Sequence, residues 1–242
     1  MNNIITSQVD EFTSTLSPQL VNKTSGAAIL VQCPHENITP EIAVIAASGD
    51  DRRPVTYDDA ANYSLTRGEL MAAAIQNQTN RNYRLESINS MLGLPIENSG
   101  PVPMLVLTNQ EATFGSSEVL NSIAMQQATD RLGSEQLYVI PSSIHEVILL
   151  PHNCGVTPDE LDLIIHEVNR NVVQPHDRLA EHSLVYDHRT QALSESHAEQ
   201  SLPEQATTRQ VQHSHDESSA NVVSSATPNG HLENYHEKRR HT

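Results

Sequence analysis

Apolar positions along the chain follow two patterns, short continuous runs and stripes at helical spacing. Short runs rich in Ile, Val and Leu and bounded by Pro, Gly or acidic turns predict buried strands. We place strands at Ala27–Val31, Ile42–Ala47, Pro54–Tyr57, Met104–Leu107, Leu137–Ile140, His145–Leu150 and Leu184–Asp187. The first two are expected to pair as a hairpin across the turn-rich residues 33–37.

Apolar residues three or four positions apart predict helices between these strands. We place helices at Gln8–Leu20, from Thr66 to about Asn77, at Arg84–Leu92, at Glu118–Leu132 and from Pro158 to about Asn169. Thr66 and Thr157 each precede a Glu by three positions, which is the pattern of a capping box at a helix start. Ser116 or Ser117 is expected to cap the fourth helix, and Gly93 and Gly133 stand where helix ends favour glycine.

The mixture of strand hairpins and helices predicts an α+β fold, with a mostly antiparallel sheet and helices packed on one face. We expect an N-terminal helix or arm at residues 1–25 and an α+β domain at 26–190, with a sub-division near 98–102. Residues 191–242 show neither apolar period, and ordering each residue costs about 1–2 kcal/mol. They are therefore predicted to form a disordered, polar, His-containing tail.

The charge of the chain narrows the classes of partner. With 14 Lys and Arg against 30 Asp and Glu, the formal net charge is −16, which repels nucleic-acid backbones and anionic membranes. We therefore expect a protein partner, and neither nucleic acid nor a membrane. No secretory signal or bilayer-length apolar run is visible, and Cys33 and Cys154 match no metal-binding spacing. These features favour a cytoplasmic protein with free thiols and no cofactor.

The segment Ser142–Glu146 holds hydroxyl, imidazole and carboxylate groups within five positions. Ser142, Ser143, His145 and Glu146 are therefore candidates for a hydrolase-like nucleophilic site. On an extended strand, however, Ser143 and His145 would share one face while Ser142 and Glu146 shared the other, so the acid could not orient the imidazole. The alternative interpretation is a turn whose hydroxyls satisfy local backbone groups. A site in which His145 acts with a more distant partner is a third alternative that the sequence leaves open.

The chain contains 13 histidines, which raises the question of metal binding. His166 follows Asp162 by four positions, and we expect the two to form an exposed pair, because a metal site would need ligands from neighbouring elements. His213 and His215 are candidate ligands in the tail, although flexible ligands lose entropy when they close a site. The alternative is a polar tail that happens to contain histidine.

The string Pro141-Ser-Ser-Ile-His-Glu-Val-Ile-Leu-Leu-Pro151 resembles the hallmark of a bacterial domain-of-unknown-function family, numbered 5688. Further matches are Glu167–Asn169, Val173-x-Pro175, Leu179, Val185–Asp187, Leu105–Asn109 and the helix start at Thr66–Leu70. The resemblance covers about residues 40–193, and we expect this chain to lack most of the longer N-terminal region of the family. It implies a bacterial source, and no activity is established for the family.

Together these features favour a non-catalytic interaction or regulatory protein. The alternative is a hydrolase-like enzyme that uses the segment at Ser142–Glu146.

Overall fold

The computed structural model describes residues 2–22, 40–48, 51–91, 93, 102–141 and 143–197. Their helices are α1 (Asn2–Ser14), α2 (Tyr57–Tyr63), α3 (Arg67–Thr79), α4 (Ile88–Met91), a 3₁₀ helix (Gly115–Leu120), α5 (Ser122–Leu132) and α6 (Pro158–Asn171). Their strands are β1 (Leu16–Val21), β2 (Glu41–Ser48), β3 (Asp51–Pro54), β4 (Tyr83–Ser87), β5 (Leu105–Asn109), β6 (Gln136–Ile140), β7 (Val147–Pro151), β8 (Leu184–Asp187) and β9 (Ala192–Glu195). The predicted α+β class is confirmed.

The strands form two sheets. Strands β1, β2 and β3 form a three-stranded sheet in that order, and the six-stranded sheet has the order β4-β5-β7-β6-β8-β9. Every neighbouring pair in both sheets is antiparallel. The predicted antiparallel pairing is therefore confirmed.

The larger sheet is apolar on both faces, and this decides where the helices lie. One face of the six-stranded sheet, the smaller sheet and helices α1, α3 and α5 form one common core. Strand β6 contributes Leu137 and Val139 to this core. The alternate β6 residues, Tyr138 and Ile140, belong to a second core with Leu161 of α6. Helices thus cover both faces of the sheet, whereas the sequence predicted helices on one face. Leu161 and Ile165 of α6 are buried against this second apolar face.

Capping explains several helix starts. The predicted capping boxes at Thr66 and Thr157 are both present, and each Thr side chain accepts a hydrogen bond from the backbone of the Glu three positions later. Thr56 forms a third box with Asp59 and starts α2. The predicted strand Pro54–Tyr57 is therefore wrong, because β3 ends at Pro54. Arg53 adds two hydrogen bonds to the Asp59 carboxylate.

Part of the predicted N-terminal helix and part of the predicted helix Arg84–Leu92 form strands instead. The first helix ends at Ser14, and Leu16–Val21 is β1. Pro18 is tolerated there because β1 lies at the edge of the sheet that the described strands form, where its one described partner is β2. The second predicted helix overlaps β4 (Tyr83–Ser87), and of its described residues only Ile88–Met91 are helical.

The predicted helix Glu118–Leu132 is divided into the 3₁₀ helix and α5. Asn121, and neither Ser116 nor Ser117, caps α5 by accepting from the backbone N–H groups of residues 123 and 124. The end at Gly133 agrees with the prediction, because Gly133 adopts the left-handed conformation with φ of 65°.

Several predictions reach beyond the described residues, among them the sub-division near 98–102, of which residues 98–101 lie outside them. The strand Ala27–Val31 lies outside them, and the described partners of β2 are β1 and β3. The tail from residue 198 onward also lies outside them, whereas residues 192–195, assigned to the tail by the prediction, form β9 and pair with β8. The domain division at 25 and 190 stays a prediction. Among the described helices, none has both the length and the apolar content needed to cross a bilayer.

Candidate functional site

The segment predicted as a possible hydrolase site is a bend that precedes β7. The Ser143 hydroxyl donates to Glu146 Oε1 at 2.9 Å and accepts from the His145 backbone N–H at 3.0 Å. The extended conformation assumed for this segment is therefore wrong, since the hydroxyl and the acid meet within one turn. Ser142 lies outside the described residues.

The imidazole of His145 is held by two other segments. Its Nδ1 accepts from the Phe114 backbone N–H at 3.3 Å, and its Nε2 lies 3.4 Å from Asp177 Oδ1. Because Nδ1 accepts, the Nε2 position carries the proton and donates toward Asp177. The His145 ring thus joins three loops, while the Ser143 hydroxyl is directed to Glu146. This geometry supports the turn interpretation and gives no support to the hydrolase alternative.

A different group of polar side chains meets where the β8–β9 hairpin lies against α6. Leu184 of β8 pairs with Glu195 of β9, so the residues just outside this pair are neighbours. Ser183 and Ser196 confirm this placement, because their hydroxyl oxygens are 2.8 Å apart. His182 and His197 lie one position further out, and both reach Asp162 of α6.

Asp162 is the centre of this cluster. Its Oδ2 lies 2.7 Å from His182 Nδ1 and 2.8 Å from His197 Nε2. Its Oδ1 accepts from the backbone N–H of Ser183 at 2.9 Å and from the hydroxyl of the same residue at 3.1 Å. Asp162 is 8% exposed and its carboxylate has four hydrogen-bonding contacts, so the orientation of the carboxylate is fixed.

The protonation of the cluster follows from these contacts. Burial raises the pKa of Asp162, but the hydrogen bonds from His182, Ser183 and His197 outweigh it and lower that pKa below its usual value. Asp162 is therefore ionised at neutral pH. Because a carboxylate only accepts hydrogen bonds, the imidazole nitrogens that face it carry protons.

The same three side chains offer a set of metal ligands. One carboxylate oxygen and two imidazole nitrogens lie within 4.8 Å of one another. Histidine nitrogen and carboxylate oxygen are ligands of Zn²⁺ and of other divalent first-row transition metals. The side chains of His182 and His197 are 53% and 37% exposed, so the cluster can be approached from solvent. Ser183, which donates two hydrogen bonds to Asp162 Oδ1, would hold the carboxylate ligand in place, as the hydrogen-bond partners of metal ligands do.

The sequence paired Asp162 with the wrong histidine. His166 lies on the exposed side of α6, and its Nδ1 is 2.7 Å from Glu181 Oε2. Asp162 is buried instead and contacts histidines that are 20 and 35 positions away. One signal in the sequence was overlooked: the dipeptides His182–Ser183 and Ser196–His197 mirror each other about the β8–β9 turn. The predicted metal candidates His213 and His215 lie outside the described residues.

The fold and the cluster define an antiparallel α+β protein with a histidine–carboxylate centre between a helix and a hairpin. The chain belongs to the family of unknown function DUF5688, whose model matches residues 2–188. This confirms the resemblance and extends it to the N-terminal helix. Asp162 and His182 lie inside the matched region, and His197 lies outside it. Neither a search of curated proteins nor a search of solved structures found a match.

Proposed function

We propose that this protein is a non-catalytic binding protein whose site takes a divalent transition metal ion such as Zn²⁺. The observation that carries the proposal is the convergence of Asp162, His182 and His197 from three separate segments of the chain. An ion at this position would replace the two imidazole protons and connect the end of β9 to α6. With three protein ligands, a fourth position would stay open to water or to a partner's side chain.

The competing explanation is a purely structural role for the cluster. Four hydrogen-bonding contacts already satisfy Asp162, and they connect the hairpin to α6 without an ion. The two explanations differ in what the histidines do. A structural cluster has no preference for Zn²⁺ over Mg²⁺, whereas an imidazole-containing site prefers Zn²⁺.

We expect calorimetric titration of the full chain with ZnCl₂ to show one binding event that MgCl₂ does not produce. Replacing one ligand, in His182→Ala or His197→Ala, is expected to weaken the affinity by about tenfold or more. Both histidines are partly exposed, so these variants should remain folded, which circular dichroism would check.

Two control variants separate this site from the other histidines of the chain. His166→Ala removes an exposed histidine of the same helix, and the double variant His213→Ala/His215→Ala removes the close pair of the tail. Both controls should bind Zn²⁺ as the natural chain does. If the heat disappears in the tail variant and persists in His182→Ala, the proposed site is wrong and the tail binds the ion.

We further propose that the protein works in the bacterial cytoplasm with a protein partner rather than with nucleic acid. The net charge of −16 supports this, because it disfavours phosphate backbones and favours a basic protein surface. A pull-down from the native host, with and without a metal chelator, tests the proposal. Recovery of a protein above the control level supports it, and recovery of nothing above control counts against it.

A further inference from the structure

Strand β9 and the two residues after it form a strap, residues 192–197, along one edge of the six-stranded sheet. Among the strands that the structure describes, the strap pairs only with β8. Of the four β9 residues, only Leu193 is buried. The chain enters the strap through Gln191, which has a left-handed φ of 53°, a conformation that is unfavourable for a residue with a Cβ. The strap is therefore held less firmly than the strands at the centre of the sheet.

The packing beneath the strap is incomplete. A cavity of about 200 Å³ lies there, which is the volume of several water molecules. Leu193 and Tyr186 line it together with Ile75 of α3 and Leu120 of the 3₁₀ helix. Because side chains in protein interiors are normally close-packed, this space removes van der Waals contacts from Leu193. We expect the strap to open locally more often than the centre of the sheet does.

The contacts that close the strap lie at its C-terminal end. The Ser196 backbone N–H donates to the Ser183 carbonyl at 3.2 Å, and His197 Nε2 lies 2.8 Å from Asp162 Oδ2. Asp162 belongs to α6, and His182 lies just before β8, so both are outside the strap. When the strap opens, His197 leaves the cluster, while Asp162 and His182 stay together.

We propose that a bound transition metal ion controls the opening of this strap and thereby the exposure of the β8 edge. This regulatory role rests on the metal site proposed above. The closed form offers the ion three ligands and the open form offers two, so the ion binds the closed form more tightly and shifts the equilibrium toward it. At saturation, the factor by which the ion suppresses opening equals the factor by which its affinity falls when His197 is lost.

Opening of the strap uncovers the backbone groups of β8 that pair with β9, along Leu184–Asp187. The side chains of Leu184, Val185 and Tyr186 are buried, so this edge lies beside apolar surface. An unpaired edge of this kind is where an extended segment of another chain can add as a further strand. The metal-loaded protein keeps the edge covered, whereas the metal-free protein exposes it intermittently.

Hydrogen exchange of the full chain, followed for single backbone amides by NMR, measures the opening. The reporter is the Ser196 amide, because its bond to the Ser183 carbonyl exists only in the closed form. We expect saturating ZnCl₂ to slow its exchange by about tenfold or more, the same factor as the expected affinity loss in His197→Ala. The Gly133 amide, which donates to Thr129 at the end of α5, is the control, because it exchanges by fraying of a helix end and should not respond.

Two variants connect the effect to the ion. In His197→Ala an ion at the cluster no longer contacts the strap, so ZnCl₂ should leave the Ser196 exchange unchanged. His166→Ala, which removes a histidine outside the strap, should respond as the natural chain does. If calorimetry shows no binding of Zn²⁺ to the natural chain, the proposed metal site is wrong and this role falls with it. If Zn²⁺ binds but the Ser196 exchange does not slow, or slows equally in His197→Ala, the metal site stands and its control of the strap is overturned.

Discussion

Gly115→Ala is expected to lower the free energy of unfolding by about 3 kcal/mol, as overpacking of a rigid site does. A Cβ at this position would contact the Thr108 hydroxyl, and would lie 2.6 Å from the Asn109 backbone nitrogen and 2.7 Å from the His145 carbonyl oxygen. The last two atoms belong to the backbone and cannot rotate away. Urea unfolding followed by circular dichroism would measure the loss.

Gly68→Ala is the matched control, because the nearest atom to its new Cβ would be the Thr66 hydroxyl oxygen at 4.0 Å. In helix α3 this change should keep the stability or raise it by up to about 1 kcal/mol. The variant Gly115→Ala/Thr108→Ala, which removes the hydroxyl, should recover little stability, since both backbone contacts remain. An unfolding midpoint of Gly115→Ala equal to that of the natural chain would show that the three segments do not approach this closely.

The close approach at Gly115 explains why the bend extends past His145, where the sequence pattern predicted that the strand begins. The Thr108 hydroxyl donates to the His145 carbonyl at 2.7 Å, and the Ser116 backbone N–H donates to the Ile144 carbonyl at 3.3 Å. These contacts hold residue 145 against β5 and residue 144 against the 3₁₀ helix, so that β7 begins only at Val147. Their partners, Thr108 and Ser116, are 37 and 28 positions away in sequence. Hydrophobic periodicity, which is local, predicts a longer strand.

Local signals predicted the parts of the fold that local contacts stabilise. The capping boxes at Thr66 and Thr157 involve residues three positions apart, and both formed as predicted. Strand β6 differs from its predicted range, Leu137–Ile140, only by the addition of Gln136, because a continuous apolar run buried on both faces is a clear local signal. Where two periods fit the same residues, tertiary pairing decided the outcome: Leu16 and Leu20 fit a helix, but pairing with β2 makes them part of a strand.

The spacing of residues along the sequence could not predict the histidine cluster. Asp162 and His166 satisfy the helical i, i+4 rule, yet burial directs Asp162 toward the hairpin and leaves His166 on the surface. The register of β8 with β9 places His182 beside His197, and a register is a property of the folded sheet. Knowing that these two strands pair would have been enough to predict the meeting of the two histidines.

Between about pH 4.5 and pH 8 the protein is expected to lose about 3 kcal/mol of folding stability through one buried acid, Glu118. Glu118 is 0% exposed, and its Oε1 has no hydrogen-bond partner among the described residues. Burial raises its pKa from 4.5 to about 7, although hydrogen bonds from Asn121 and Gln78 and the charge of Arg81 act in the opposite direction. Burial prevails because it removes the charged form from water.

The sign of this pH dependence follows from proton binding. The folded chain holds the Glu118 proton up to about pH 7, whereas the unfolded chain releases it near pH 4.5. The stability that Glu118 contributes through its bound proton is therefore complete below pH 4.5. It falls as the pH rises toward 7 and is absent at a pH well above 7. Urea unfolding at intervals across this range would measure the loss.

Glu118→Gln isolates this effect, because the amide stays neutral at every pH tested. The variant should lack the Glu118 component of the loss, and its stability relative to the natural chain should rise between pH 4.5 and pH 7. Glu167→Gln, which changes an exposed residue of α6, should keep the pH profile of the natural chain. Parallel profiles for Glu118→Gln and the natural chain would mean that Glu118 is ionised in the folded protein at acidic pH. Its carboxylate would then need a hydrogen-bond donor or water at Oε1, where the described residues place none.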